Sequence, residues 1–194
     1  MFDNYRKSSF VFLDRDGVLN EDEGHVHKPE DLRILPNVVN GLLELKSLDF
    51  KFIIITNQAG IAKGIYREKD LHKFMQALLE MLATFEIHIE DYYFCPHHPQ
   101  GKISKFRTFC NCRKPMPGMI NKACKDHNVN LESSILIGDK FSDIEAGRLA
   151  GVGKLFKVDQ TQESSGKKDF SYPYIIVKDI LEVAEYLKTN EIIE

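Results

Sequence analysis

Four apolar residues, Phe10-Val11-Phe12-Leu13, stop abruptly at Asp14-Arg15-Asp16-Gly17-Val18-Leu19-Asn20. An apolar run with no polar alternation reads as a parallel strand buried on both faces. Its two carboxylates fall just past the C-terminal end, where open α/β sheets place their binding crevice. An Asp-Gly turn would account for Gly17, but not for two acids closing an apolar strand.

The rest of the chain repeats that grammar. Phe52-Ile53-Ile54-Ile55 is a second apolar strand, ending in Thr56-Asn57-Gln58-Ala59-Gly60. Tyr92-Tyr93-Phe94, Ile135-Leu136-Ile137, residues 155–158 and residues 174–177 read as further strands. Helical spacing of apolar residues predicts helices over 36–48, 68–85, 117–127, 142–150 and 179–187. Leu71, Phe74, Met75, Leu78, Leu79 and Leu82 share one side of the second of these and read as core. Alternation of strand and helix predicts an α/β fold with a doubly wound, mostly parallel, Rossmann-like sheet. A length of 194 residues suits one domain, residues 1–194, without a separate cap. The charged, histidine-bearing stretch 21–35 reads as a loop rimming the site, and the polar segment 160–169 reads as mobile.

Composition narrows the partners. A net charge of −3 offers no basic field for nucleic acid. No apolar run approaches the roughly 20 residues of a membrane span. Met1 to Lys7 lacks the apolar centre of a signal peptide. These readings predict a cytoplasmic protein of monomeric scale, engaging neither membrane nor nucleic acid. In that compartment the four cysteines read as metal ligands or bystanders rather than disulfides.

Three strands end in complementary polar groups: Asp14 and Asp16, Thr56 and Asn57, and Asp139. The strands of a parallel sheet all end on one edge, so these groups can converge. Asp14, Asp16 and Asp139 make a hard, all-oxygen set suited to Mg²⁺ rather than zinc. With a hydroxyl and a lysine nearby, such a set suits a phosphoryl group. Taken singly, Thr56 is an ordinary strand-end hydroxyl, Lys114 a solvated cation, Asp139 a turn residue and Asp143 a helix N-terminal acid.

Taken together, Asp14-Arg15-Asp16-Gly17-Val18, Thr56-Asn57, Lys114 and Gly138-Asp139-Lys140 with Asp143 resemble the four motifs of the haloacid-dehalogenase-like phosphatases. Segments 56–64, 95–101 and 110–115 sharpen the likeness toward heptose-bisphosphate 7-phosphatases, with histidinol-phosphatases close by. The resemblance spans residues 9–158 in matching order.

It implies a phosphoric monoester hydrolase that removes the C7 phosphate of a heptose 1,7-bisphosphate, in nucleotide-heptose and surface-polysaccharide biosynthesis. Asp14 would be the nucleophile, and Asp16 the acid and then the base. Thr56 and Lys114 would clamp the phosphoryl oxygens. Mg²⁺ would sit on Asp14, the carbonyl of Asp16, and Asp139, with Lys140 beside them. Asp22, Glu23, Gly24, His25, Asn57, Gln58 and Ala59 would touch the sugar, and Arg113 would take a phosphate or hydroxyls of the substrate through its planar fork.

Cys95-Pro96-His97 and Cys110-Asn111-Cys112 form two close ligand pairs in the loop 95–114. Three thiolates and one imidazole make a closed tetrahedral zinc set, hence a structural site. His98 is an alternative to His97; the family's C-x-H pattern favours His97. Cys124 reads as a small core residue, and His72, His88 and His127 as surface or satisfied groups. Two rivals share features: a histidinol-phosphate phosphatase has the same motifs and zinc set, and a phospho-accepting signalling domain also gathers Asp, Thr and Lys at a sheet edge. Asp16 argues against the second, since a switch has no use for a general acid two residues beyond the nucleophile.

Overall fold

A computed structural model describes residues 7–159 and 172–191. The segment 160–169, expected to be mobile, lies outside the described residues. Strands β1 (Phe10–Leu13), β2 (Lys51–Asn57), β3 (Ile89–Cys95), β4 (Ile135–Gly138), β5 (Lys154–Val158) and β6 (Ile175–Val177) form one sheet. Its order is β3-β2-β1-β4-β5-β6, and every pairing is parallel. Six helices connect the strands: α1 (Val38–Ser47), α2 (Ala59–Lys63), α3 (Glu68–Ala83), α4 (Gly118–Asp126), α5 (Phe141–Ala150) and α6 (Ile180–Glu191).

Period-2 alternation along the strands splits the core into two layers. Val11, Leu13, Ile54 and Ile137 face one way, into a cluster with Leu42, Leu45, Phe74, Leu78 and Val183 of α1, α3 and α6. Phe10, Phe12, Ile53, Ile55 and Leu136 face the other way, against Met119, Ile120, Ala123 and Ile144 of α4 and α5. The central strands are therefore apolar at every position, as their sequences foretold.

The chain winds outward from β1 to β3, then returns to lay β4 on the other side of β1. The sheet's topological switch point thus lies between β1 and β4, and open α/β sheets bind ligands beyond the strand ends there. Val11 is paired with Phe52 on one side and Ile135 on the other. The Asp14 N–H donates to the Ile137 carbonyl at 3.0 Å, which ties the first acid to the β4 side of the crevice.

Two local features differ from the periodicity reading. β2 runs on through Thr56 and Asn57 because both pair with β3, opposite Phe94 and Cys95. Ladder hydrogen bonds are indifferent to side-chain polarity, so the strand outlasts its apolar pattern. The five-residue α2 was not foreseen, since one short turn carries too little periodicity to be read.

Candidate active site

Asp14 stands at the end of β1 and is 6% exposed. One of its oxygens, Oδ1, accepts the Arg15 main-chain N–H at 2.8 Å and pairs with Lys114 Nζ at 2.9 Å. Lys114 is 3% exposed and also reaches Asp143 at 2.7 Å, while donating to the Ile55 carbonyl at 2.8 Å. Burial opposes its charge, but Asp14 and Asp143 on either side outweigh that and hold its pKa above the ordinary lysine value. Thr56, at the end of β2, is buried beside this group, its Oγ1 accepting from Gln58 Nε2 at 2.8 Å.

Asp16 is held differently. Arg15, fully buried with its guanidinium over the Phe74 ring, donates to both Asp16 oxygens at 2.6–2.9 Å. Asn20 Nδ2 and Gln58 Nε2 add bonds of 3.1 Å each. Tyr66 donates in turn to Gln58 Oε1, so the amide's orientation is set from behind. Both of the acids that close β1 are thus locked, one on a lysine and the other on an arginine.

Asp14, Asp139 and Asp143 present oxygens that lie within 4.8 Å of one another. Burial, and then the charge of Asp14, pushes the Asp139 carboxyl up to about 7. Its Oδ1 is buried and lacks a hydrogen-bond partner among the described residues. Three crowded acids and an orphaned carboxylate oxygen are a deficit of positive charge, which fits a hard divalent cation. Asp14 and Asp143 both meet Lys114 through Oδ1, and Asp143 Oδ2 takes the Lys140 N–H, which leaves Asp14 Oδ2 and Asp139 Oδ1 as the oxygens without a partner among the described residues. The role expected for Asp143, an acid easing a helix dipole, is therefore only part of what it does: its Oδ2 accepts the Lys140 N–H at 2.9 Å, capping α5, while Oδ1 serves Lys114. Gly17 closes the group, with a φ of +82° and a position where a Cβ would lie 2.6 Å from Asp139 Oδ2. Only glycine fits there.

Above this floor opens a cavity of about 350 Å³. Asp14, Asp16, Asp22, Gly24, His25, Thr56, Asn57, Gln58, Ala59, Arg113, Lys114 and Lys140 all line it, as expected of them. Glu23 is exposed and lies outside that wall, and Asp139 lines the adjoining cleft. Lys140 bridges the two, 3.3 Å from Asp139 and 3.1 Å from Asp22. Lys63, His98, Ser142 and Asp143 also line the cavity. Of these, His98 had been weighed only as a zinc ligand, and no role was foreseen for Lys63, at the end of the unforeseen α2. A basic residue beside the Thr56–Ala59 segment was the available signal.

Cys95, His97, Cys110 and Cys112 converge in the loop after β3. Their sulfurs lie 3.2–3.5 Å apart, and His97 Nδ1 lies 3.4 Å from Cys112 and 3.7 Å from Cys95. Zinc–sulfur bonds of about 2.3 Å in a tetrahedron imply sulfur–sulfur edges near 3.8 Å, so the set is the right size for the ion. Hydrogen bonding with Cys95, and then with Cys110 and His97, draws the Cys112 thiol down to about 5. His97, not His98, completes the set. Cys124 packs against the second core layer, His72 bonds the Tyr92 hydroxyl, and His127 meets Asp91.

Comparison with known proteins bears on this geometry. The family profile "Polynucleotide kinase 3 phosphatase" matches residues 10–176. The D-glycero-alpha-D-manno-heptose-1,7-bisphosphate 7-phosphatase of Photorhabdus laumondii is 42% identical over 154 residues, covering 79% of this chain and 84% of the relative. The D-glycero-beta-D-manno-heptose-1,7-bisphosphate 7-phosphatase of Escherichia coli K12 is 38% identical over 143 residues, covering 74% and 75%. A crystal structure of D,D-heptose 1,7-bisphosphate phosphatase from B. bronchiseptica, complexed with magnesium and phosphate, superposes with a TM-score of 0.80 at 27% identity, covering 94% of this chain and 99% of that one. An acid pair at the switch point of a parallel sheet, a lysine shared between carboxylates and relatives that are phosphatases lead to one family: the chain belongs to the polynucleotide kinase 3 phosphatase group of haloacid-dehalogenase-like phosphatases and is a phosphoric monoester hydrolase.

Proposed function

We propose that this chain hydrolyses the C7 phosphate ester of D-glycero-D-manno-heptose 1,7-bisphosphate through an aspartyl-phosphate on Asp14. The observation that carries the mechanism is the environment of Asp14. Arg15 N–H and Lys114 occupy Oδ1, which leaves Oδ2 without a hydrogen bond among the described residues and available to attack phosphorus. The bond from Asp14 Oδ2 to phosphorus forms as the bond to the sugar oxygen breaks. Lys114 and the Thr56 hydroxyl, both at the cavity floor, take the phosphoryl oxygens.

Asp16 protonates the departing alkoxide, then takes a proton from the water that cleaves the acyl phosphate. In the arrangement seen here it is the acceptor of four side-chain hydrogen-bond contacts from Arg15 and Asn20 and one from Gln58, which suits its base form. Acting as an acid requires it to slacken its grip on Arg15. Asp14, Asp139 and the Asp16 carbonyl would hold Mg²⁺, which when bound would supply positive charge to the phosphoryl group. Lys140 keeps Asp139 oriented, and Asp22, Gly24, His25, Asn57, Gln58 and Ala59 wall the sugar. Cys95, His97, Cys110 and Cys112 would hold zinc, which would fix the loop that carries Arg113 and Lys114.

The sugar assignment follows the relatives, which carry the same substrate in two anomeric forms. A substrate built for nucleotide-sugar synthesis supports a cytoplasmic site of action. Net charge of −3 supports a small sugar phosphate over a polynucleotide end. The deciding experiment measures phosphate release with Mg²⁺ from both anomers of the bisphosphate and from histidinol phosphate. Preference for one bisphosphate anomer in kcat/KM is the expected result and assigns the pathway; preference for histidinol phosphate overturns the sugar assignment and leaves the chemistry standing.

A further inference from the structure

The charges of the cavity are unevenly balanced. At the floor every cation has a carboxylate: Lys114 has Asp14 and Asp143, and Lys140 has Asp139 and Asp22. Two cations in the wall have none among the described residues. Arg113 touches only the His97 carbonyl, at 3.4 Å. Lys63, the last residue of α2, touches only an imidazole, with its Nζ 3.2 Å from His25 Nε2.

That contact is itself informative. An ammonium has no acceptor, so His25 Nε2 must be the acceptor and its ring uncharged. Burial and the charge of Lys63 both hold the His25 pKa below its ordinary value. Backbone geometry supports the arrangement: His25 sits at a φ of +62°, next to Gly24 at +83°, and its carbonyl accepts from His27, whose ring stacks on Tyr66. The loop thus spends an uncommon backbone conformation on presenting a neutral ring to a lysine. The result is a lysine aimed into the cavity, anchored without being neutralised.

Transfer of a single phosphoryl group is served by the floor, where each cation already has its carboxylates. Surplus positive charge in the wall serves a second anionic group that does not react. We propose that Lys63 is a specificity-determining residue which binds the non-transferred phosphate of the substrate, and that His25 is the positioning residue which holds Lys63 toward it. This rests on the bisphosphate reading above. It adds to Arg113, a fork fixed by the zinc loop, a point charge delivered from the opposite segment, after β2.

The test is calorimetric binding to the Asp14→Asn protein, which does not consume its ligand, with heptose 1,7-bisphosphate and heptose 7-phosphate as probes. The quantity read is the ratio of the two dissociation constants. Adding Lys63→Ala should shrink that ratio by about 10- to 100-fold, the range expected for one charge-assisted hydrogen bond. Lys63→Arg should keep it within about threefold of its starting value. His25→Ala should shrink the ratio when Lys63 is present and leave it unchanged when Lys63 is already alanine, a coupling that mere loosening of the loop would not produce. An unchanged ratio in Lys63→Ala overturns the inference while the bisphosphate reading stands. Failure of the Asp14→Asn protein to bind either sugar overturns both.

Discussion

The molecule holds two groups of residues suited to metal ions, and they are built in opposite ways. Asp14, Asp139 and Asp143 stand on strand ends and a helix start, anchored by the layered core beneath them. Cys95 ends β3, whereas His97, Cys110 and Cys112 stand on irregular chain that, among the described residues, has only a single 3₁₀ turn, Ser104–Phe106, and leaves Phe109 88% exposed. The acids are placed by the fold and repel one another until a cation arrives. Apart from Cys95, these ligands have little regular structure to place them, so a metal there would supply the shape of the loop. One group therefore shows what a scaffold can impose on unwilling charges, and the other what ligands can impose on an unsupported chain.

That contrast can be broken most forcefully at Asp14. Asp14→Asn should lower kcat by about four orders of magnitude or more, as removal of a nucleophile does. Far-UV circular dichroism and the melting temperature should stay near those of the parent, because the scaffold does not depend on this carboxylate. At the other group, Cys112→Ser should abolish tight zinc binding, measured by metal content, and expose residues 95–112 to limited proteolysis. Displacement of Arg113 and Lys114 should then cost about 100-fold in kcat/KM, with most of the sheet's dichroism retained. Global unfolding of that variant would show that the two regions are not built independently.

Smaller effects sharpen the account of the acid group. Gly17→Ala forces a side chain into a left-handed backbone and against Asp139, so stability should drop by about 1–3 kcal/mol in urea titrations. It should also weaken Mg²⁺ binding. Asp139 gives the pH test. In metal-free protein its carboxyl titrates near 7, against an ordinary 3.8. Between those values the native state binds more protons than the unfolded chain, so this group makes stability fall as pH rises. Asp139→Asn in chelator should accordingly be more stable than the parent by about 1–2 kcal/mol at pH 8, with the gap closing toward pH 4.5. Stabilisation by Mg²⁺, expected of the parent, should disappear in the variant. A gap that widens at low pH would mean that Asp139 is not strained by its neighbours.

Much of this was legible in the chain itself. Apolar runs at Phe10–Leu13 and Ile135–Ile137 announced doubly buried strands, because only a strand covered on both faces can be apolar at every position. The acids that end those runs, and the paired Cys and His residues, were legible because a strand end and a short ligand spacing are local facts. Legibility failed where a residue's role depends on what comes to meet it. Asp143 looks like a helix-capping acid until Lys114, 29 positions earlier, is brought to 2.7 Å. Lys63 looks like one more surface lysine until α2 sets it against His25.

The sequence by itself determined the α/β class, which strand ends carry acids, and the two close Cys and His groupings, since periodicity and spacing are written along the chain. Tertiary structure alone decided the strand order that puts β4 beside β1, and with it the crowding of Asp14, Asp139 and Asp143. It alone decided which cations are neutralised and which are left over. Coulomb energies depend on distance in space, and distance in space between Lys63 and His25, or between Lys114 and Asp143, is set by packing that no local pattern encodes.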